Sequence, residues 1–259
     1  MIAGYSIGSC MIICIGVFVA ALVDAIGGGG GLISLPAYLL AGLPVHYAIG
    51  TNKLSSFLGT TASTARYIRR GYVNWKLAVP SILLAIIGSH LGTRLQLRLS
   101  DRFFHYLMIV LLPVIAFVIL KKKGFKEAAG EIDPLKQKII VWAASFVIGM
   151  YDGFYGPGTG TFLLIVFCRL AKMDLKTASG NVKIVNLSSN VGALLTSLSA
   201  GKVIVPIGIL AGAFGFLGHY IGAGLMIRNG SKVVTPVIVI VLSLLMVKLI
   251  TEALGIPLF

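Results

Sequence analysis

The sequence predicts an all-α membrane protein, a polytopic helix bundle of two inverted repeats, each a glycine-broken (re-entrant) helix pair plus three spanning helices. Three observations predict it. Of the 259 residues 57% are hydrophobic and 12% charged, against roughly 45–50% and 25% in a soluble domain, so most of the chain must lie in lipid. Apolar runs at 2–22, 75–97, 103–120 and 234–250 reach the roughly 20 residues that cross about 30 Å of hydrocarbon as a helix. They lack the period-two polarity of barrel strands. Finally, the chain repeats itself. Asp24-Ala-Ile-Gly-Gly-Gly-Gly-Gly31 leads to Ala48-Ile-Gly50-Thr-Asn-Lys53, and Asp152-Gly-Phe-Tyr-Gly-Pro-Gly-Thr-Gly160 leads to Ala178-Ser-Gly180-Asn-Val-Lys183. The offset is 128 at the aspartates and 130 at the lysines, and it stays at 130 through Gly71 and Gly201, Gly88 and Gly218, Gly92 and Gly222, and Arg98 and Arg228.

With repeats at 1–127 and 128–259, the elements follow in order. The first segment, 2–25, has no basic stretch before it and no small-residue cleavage signal after it, so it is expected to be retained rather than removed as a signal peptide. Beyond the glycine break, 31–42 offers only about ten apolar residues, or about 15 Å of helix, too short to span alone. It is therefore expected to fold back on the first segment. Helices at 44–68, 74–98 and 102–121 complete the half. The second half follows at 136–152, 158–171, 174–199, 203–228 and 232–251. Three complete crossings per half is an odd number, so the second half is expected upside down. Pro36, Pro44, Pro80, Pro113, Pro206 and Pro236 lie in or beside helices as kinks or first-turn residues, tolerated where neighbours satisfy the freed carbonyls.

The net charge of +14 would suggest nucleic acid in a soluble protein; its placement here says otherwise. Connections near 66–76, 121–138, 169–176 and 228–232 hold fifteen Lys and Arg, while the remaining connections hold four. Such a bias places the rich loops on the cytoplasmic side and sets orientation against anionic headgroups in the lipid bilayer, with no nucleic acid as partner. The basic run Lys121-Lys-Lys123 is one such topology signal. No metal or other cofactor is expected. Cys10, Cys14 and Cys168 show no ligand spacing, and the four histidines, 46, 90, 105 and 219, form no HExxH motif.

The chemistry concentrates at the breaks. Gly27 to Gly31, including Gly28, Gly29 and Gly30, and Gly156-Pro-Gly158-Thr159-Gly160 interrupt helices at membrane depth, where free backbone N–H groups are costly unless they meet a ligand, water or protein. The helix that starts after each break aims unpaired N–H groups and a positive dipole end at the gap, which suits an anion. The alternative is that the glycines only allow close helix crossing. Tyr155 and Thr159 could bond a solute, and their counterparts in the first copy are glycines. The next helix of each half carries a polar stripe: Asn52, Lys53, Ser56, Thr60, Ser63 and Tyr67 in one; Ser179, Lys183, Asn186 and Asn190 in the other. A lysine inside a span costs roughly 2.5–3.5 kcal/mol on insertion scales. Each lysine is read as lining an anion path, or else as snorkelling to the interface. Asp24 and Asp152 could pair with these lysines, cap helix starts, or take up coupling protons.

At these residues the sequence resembles the TauE/SafE sulfite exporter family of membrane transporters. The resemblance is carried by the Gly27–Gly31 run leading to Leu35-Pro36, by Ala48-x-Gly50-Thr51-Asn52, by Gly71-x-Val73-x-Trp75, and by Gly153-x-x-Gly156-Pro157-Gly158-Thr159-Gly160 with Lys183-x-x-Asn186 and Asn190. It covers nearly the whole chain. It implies transport of small sulfur-containing anions, such as sulfite and organosulfonates, or of related carboxylates, across the cytoplasmic (inner) membrane of a prokaryote. It does not single out one cargo.

The expectation is therefore a multi-pass secondary transporter, an exporter of sulfite, sulfoacetate or a similar anion, working by alternating access at a midplane site between the repeats. An anion channel and a transporter of small carboxylates are the alternatives. An intramembrane enzyme would need a nucleophile and base that no motif supplies. The small residues are compatible with a homo-oligomer.

Overall fold

A computed structural model of the chain describes residues 2–100 and 132–230, together with 232, 233 and 236. All regular structure among these residues is helical. The first segment begins later than its apolar run suggests. Ala3 and Gly4 turn at φ 50° and 86°, and Ser6 then caps α1 (Ile7–Gly27), its Oγ accepting from the Ser9 N–H at 3.0 Å. After the glycine break comes α2 (Gly31–Leu40), then α3 (Val45–Arg69) entered through Pro44, and α4 (Trp75–Arg98) capped by Asn74. In the second half Asp133 and Pro134 start α5 (Pro134–Phe154); α6 (Thr159–Ile165) runs into a single π-turn at Val166–Leu170. Asp174 caps α7 (Leu175–Ser199), accepting from the N–H groups of Lys176 and Thr177, and α8 (Val205–Asn229) has Pro206 in its first turn. These bounds follow the expected order to within a few residues. The expected spans at 102–121 and 232–251, with Lys121 to Lys123, lie almost wholly outside the described residues.

Among the described residues three helices, α1, α4 and α8, are long and apolar enough to cross a membrane. At 10 residues, α2 rises only about 15 Å at 1.5 Å per residue and cannot. On α4 the outward residues Val79, Leu83, Ile87, Leu91 and Leu95 recur every four positions and are exposed. A continuous apolar stripe of this kind on an outer helix belongs against hydrocarbon, not water.

Glycines decide how closely the helices cross. Gly88 and Gly92 on α4 lie so close to α5 that a Cβ would strike the carbonyls of Phe146 and Met150. Gly218 and Gly222 on α8 stand in the same way against the carbonyls of Phe18 and Leu22 on α1. Gly50 at the start of α3 abuts the Lys202 carbonyl, and Gly180 at the start of α7 abuts the Tyr72 carbonyl. Every one of these contacts joins the first half to the second, and each has a counterpart with the partners exchanged. Packing of small residues spaced by four is the usual way apolar helices associate in lipid, where burial of greasy side chains gives no drive.

Candidate functional site

The two glycine breaks meet. At Gly28 the backbone turns at φ 81° and ψ −179°, a conformation essentially reserved for glycine. A Cβ there would run into the main chain of Gly160 and Thr161. Thr161 Oγ1 donates to the Gly27 carbonyl at 3.0 Å, and Gly31 packs on Pro157. The end of α1, the start of α2, and the turn between α5 and α6 are thus one contact, and beside it lies a cavity of about 60 Å³.

Each break contributes to its wall. Asp24, Gly30, Gly31 and Ser34 come from the first, and Asp152, Tyr155, Gly156, Thr159 and Gly160 from the second. The polar stripes supply Asn52, Lys53, Ser56 and Thr60 from α3 and Asn186 and Asn190 from α7. Of the residues anticipated from sequence, Gly27, Gly28, Gly29, Gly158 and Lys183, and Ser63, Tyr67 and Ser179 of the stripes, do not line the cavity. Gly28 forms the junction itself, and Gly29 and Gly158 shape the two turns at φ 86° and 85°. Residues that the sequence reading passed over do line it: Ser34, Ser55 and, from α8, His219. The helical period of α2 could have flagged Ser34, which lies one turn after the break. Nothing in the repeat pointed to His219, whose counterpart is Ser89.

Both lysines are buried, so neither snorkels to the interface, and each is held by the acid of the other half. Lys53 Nζ lies 2.9 Å from Asp152 Oδ2 and donates to the Asp152 carbonyl at 2.6 Å. Lys183 Nζ lies 2.7 Å from Asp24 Oδ2 and donates to the Asp24 carbonyl at 2.5 Å. Asp24 also accepts from the Gly30 N–H at 3.3 Å, which ties the ion pair to the start of α2. With two acids and two lysines, the cluster is formally neutral. The lysines are not a pair of free cations along a path, and an anion here must rely first on amides, hydroxyls and main-chain N–H groups.

One amide in the wall has an unpaired acceptor as well as a donor. Asn186 is 6% exposed, and its Oδ1 is buried without a hydrogen-bond partner. Its Nδ2 stands 3.1 Å from the place a Cβ would take on Gly160, so the glycine makes the room that the amide occupies. A buried, unpaired polar atom costs roughly 1–3 kcal/mol. In a cavity wall, that cost is recovered when water or a protonated solute donates to the oxygen, while the Nδ2–H of the same amide is the group that can serve an anion. Asn190 is partly spent, with Nδ2 donating to Thr60 Oγ1 across the halves at 3.5 Å.

Comparison with known proteins gives the family. The family model described as Sulfite exporter TauE/SafE matches residues 12–249. The chain belongs to the TauE/SafE family. It is 35% identical over 238 residues to a Sinorhizobium protein named "Probable membrane transporter protein ORF9", covering 91% of this chain and 90% of that one. It is 32% identical to the Escherichia coli K12 "Probable membrane transporter protein YfcA", covering 91% and 87%, and 31% identical to a Haemophilus influenzae "Probable membrane transporter protein", covering 93% and 94%. No solved structure matches. This TauE/SafE protein is thus a multi-pass membrane transporter, not an enzyme.

Proposed function

We propose that this transporter carries a small sulfur-containing anion, such as sulfite or an organosulfonate, through the cavity where the breaks meet, by alternating access of two inverted repeats. The observation that carries the reading is the convergence of both breaks on one polar cavity walled by the Asn52, Asn186 and Asn190 amides, whose N–H groups are anion donors. Size favours the smallest cargo. A water needs roughly 10–15 Å³ of such space, so about 60 Å³ holds four to six water-sized atoms. Sulfite, with four heavy atoms, fits this space.

The inverted repeat, with halves at 1–127 and 128–259, is supported by the exchanged-partner contacts between halves and by the gathering of Lys and Arg on one side. A re-entrant pair is supported by the shortness of α2. Location in a prokaryotic inner membrane and outward transport fit an inside-negative potential, since moving one negative charge out gains about 2.3 kcal/mol per 100 mV. The buried ion pairs add a route to coupling. A proton on Asp24 or Asp152 would loosen the lysine it holds, and the freed ammonium would favour an anion.

A binding screen tests the cargo. Purified protein should be stabilised against heat by sulfite more than by sulfate, sulfoacetate or simple carboxylates, by about 2.7 kcal/mol at a hundred times the dissociation constant. Asn186→Leu should lose that stabilisation. Equal stabilisation of the variant would remove Asn186 from the site, and stabilisation by carboxylates alone would reassign the cargo.

A further inference from the structure

The two acids are treated differently by the side chains around them. Asp152 is closed off: besides Lys53, its Oδ2 accepts from the Ser189 hydroxyl at 2.7 Å. By the repeat offset the counterpart of Ser189 is Gly59, so Asp24 has no such hydroxyl. The space Gly59 leaves is filled by the His219 ring from α8, with Cδ2 2.5 Å from where a Cβ would stand. The counterpart of His219 is in turn Ser89. A glycine and a histidine on one side thus replace two serines on the other, and Asp24 remains the more open acid, with 20% of its side chain exposed against 8% for Asp152.

The tautomer of His219 is coupled to the Ser63 hydroxyl beside it. Ser63 has one hydroxyl hydrogen, and the shorter of its two contacts, 3.0 Å against 3.2 Å, is to the Thr60 carbonyl. In the tautomer where that contact takes the hydrogen, the oxygen accepts from His219 Nδ1–H and Nε2 is a bare lone pair. That lone pair faces Asp24 Oδ2 at 3.9 Å. In that tautomer two acceptors face each other, and a proton taken up from outside is what would join them. The other charged groups near this point are engaged: Lys183 from α7 holds Asp24, Lys53 from α3 holds Asp152 from α5, and Arg66 from α3 is turned onto the Tyr220 carbonyl.

We infer that His219 Nε2 and Asp24 Oδ2 form a proton-binding site, and that this acid alone, not Asp152, exchanges a proton during transport. The inference rests on the anion-transport reading of the cavity. A hydronium ion entering the cavity gives one proton to the nitrogen–oxygen pair and leaves as water. The carboxylate charge is then offset, the hold on Lys183 weakens, and the positive charge left over draws one negative charge into the cavity. When the proton leaves, Lys183 returns to Asp24 and the anion is released.

Infrared spectra of the purified protein across pH test the proton site without requiring transport. One protonated-carboxyl band should appear on acidification, be missing in Asp24→Asn, shift in His219→Gln, and persist in Asp152→Asn. Because Asp24→Asn could fail to fold, the His219→Gln shift stands as the independent result. A band unmoved by His219→Gln, or one lost in Asp152→Asn, overturns the inference. In liposomes, His219→Gln should lower pH-driven flux relative to anion exchange by about tenfold, a coupling usual for linked sites. If the wild type moves no anion while the band behaves as stated, the transport reading fails and the proton site stands.

Discussion

Lys53→Met is expected to destabilise the protein by about 3–5 kcal/mol, because it leaves Asp152 buried without its counter-charge. The side chains of Lys53 and Asp152 are 5% and 8% exposed, and the lysine also holds the Asp152 carbonyl, so its loss leaves the carboxylate and the carbonyl to the few waters the cavity admits. Asp152→Leu alone should cost a similar amount, since it strands the ammonium instead. The double variant should recover most of the loss, because a buried ion pair replaced by apolar groups of similar volume is often near neutral. Thermal or denaturant unfolding in detergent measures all three. Single variants that each cost under about 1 kcal/mol would mean that the pair is hydrated and contributes as little as a surface salt bridge.

Gly28→Ala is expected to have the other large effect, for two separable reasons. Its φ and ψ lie where a side chain is strained by about 1–3 kcal/mol. In addition, the new methyl would meet the main chain of Gly160 and Thr161 rather than a flexible side chain, so the breaks must part. Gly4→Ala separates the two causes, because Gly4 has φ 86° with nothing within 4 Å. Gly28→Ala should cost clearly more than Gly4→Ala in unfolding experiments and should abolish anion binding, while Gly4→Ala binds normally. Equal costs would show that the breaks do not depend on their mutual contact.

Much of this was legible because glycine and proline punctuate the chain. Gly71 and Gly201 end their helices in matched positions, and Pro44 and Pro206 begin theirs, so most bounds fell within a few residues. The start of α1 was not legible, since Ser6 sits inside an apolar run and only its contact with Ser9 marks it as a cap. The repeat offset flagged the two acids and two lysines together. It could not say that each lysine reaches the acid of the opposite half, because that depends on how the halves dock. His219 was invisible for the opposite reason: a repeat reveals what is kept in both copies, and this residue matters because its copy differs. Nor does the sequence announce the π-turn at Val166–Leu170, a local rewinding of the helix end.

Counterflow in liposomes tests most directly the claim that both breaks build one alternating-access site. With unlabelled sulfite trapped inside, labelled sulfite outside should accumulate above its equilibrium level, and Asn186→Leu should abolish that accumulation without unfolding the protein. Sulfite that equilibrates with no stimulation from the far side, or accumulation untouched in the Asn186 variant, would contradict the account.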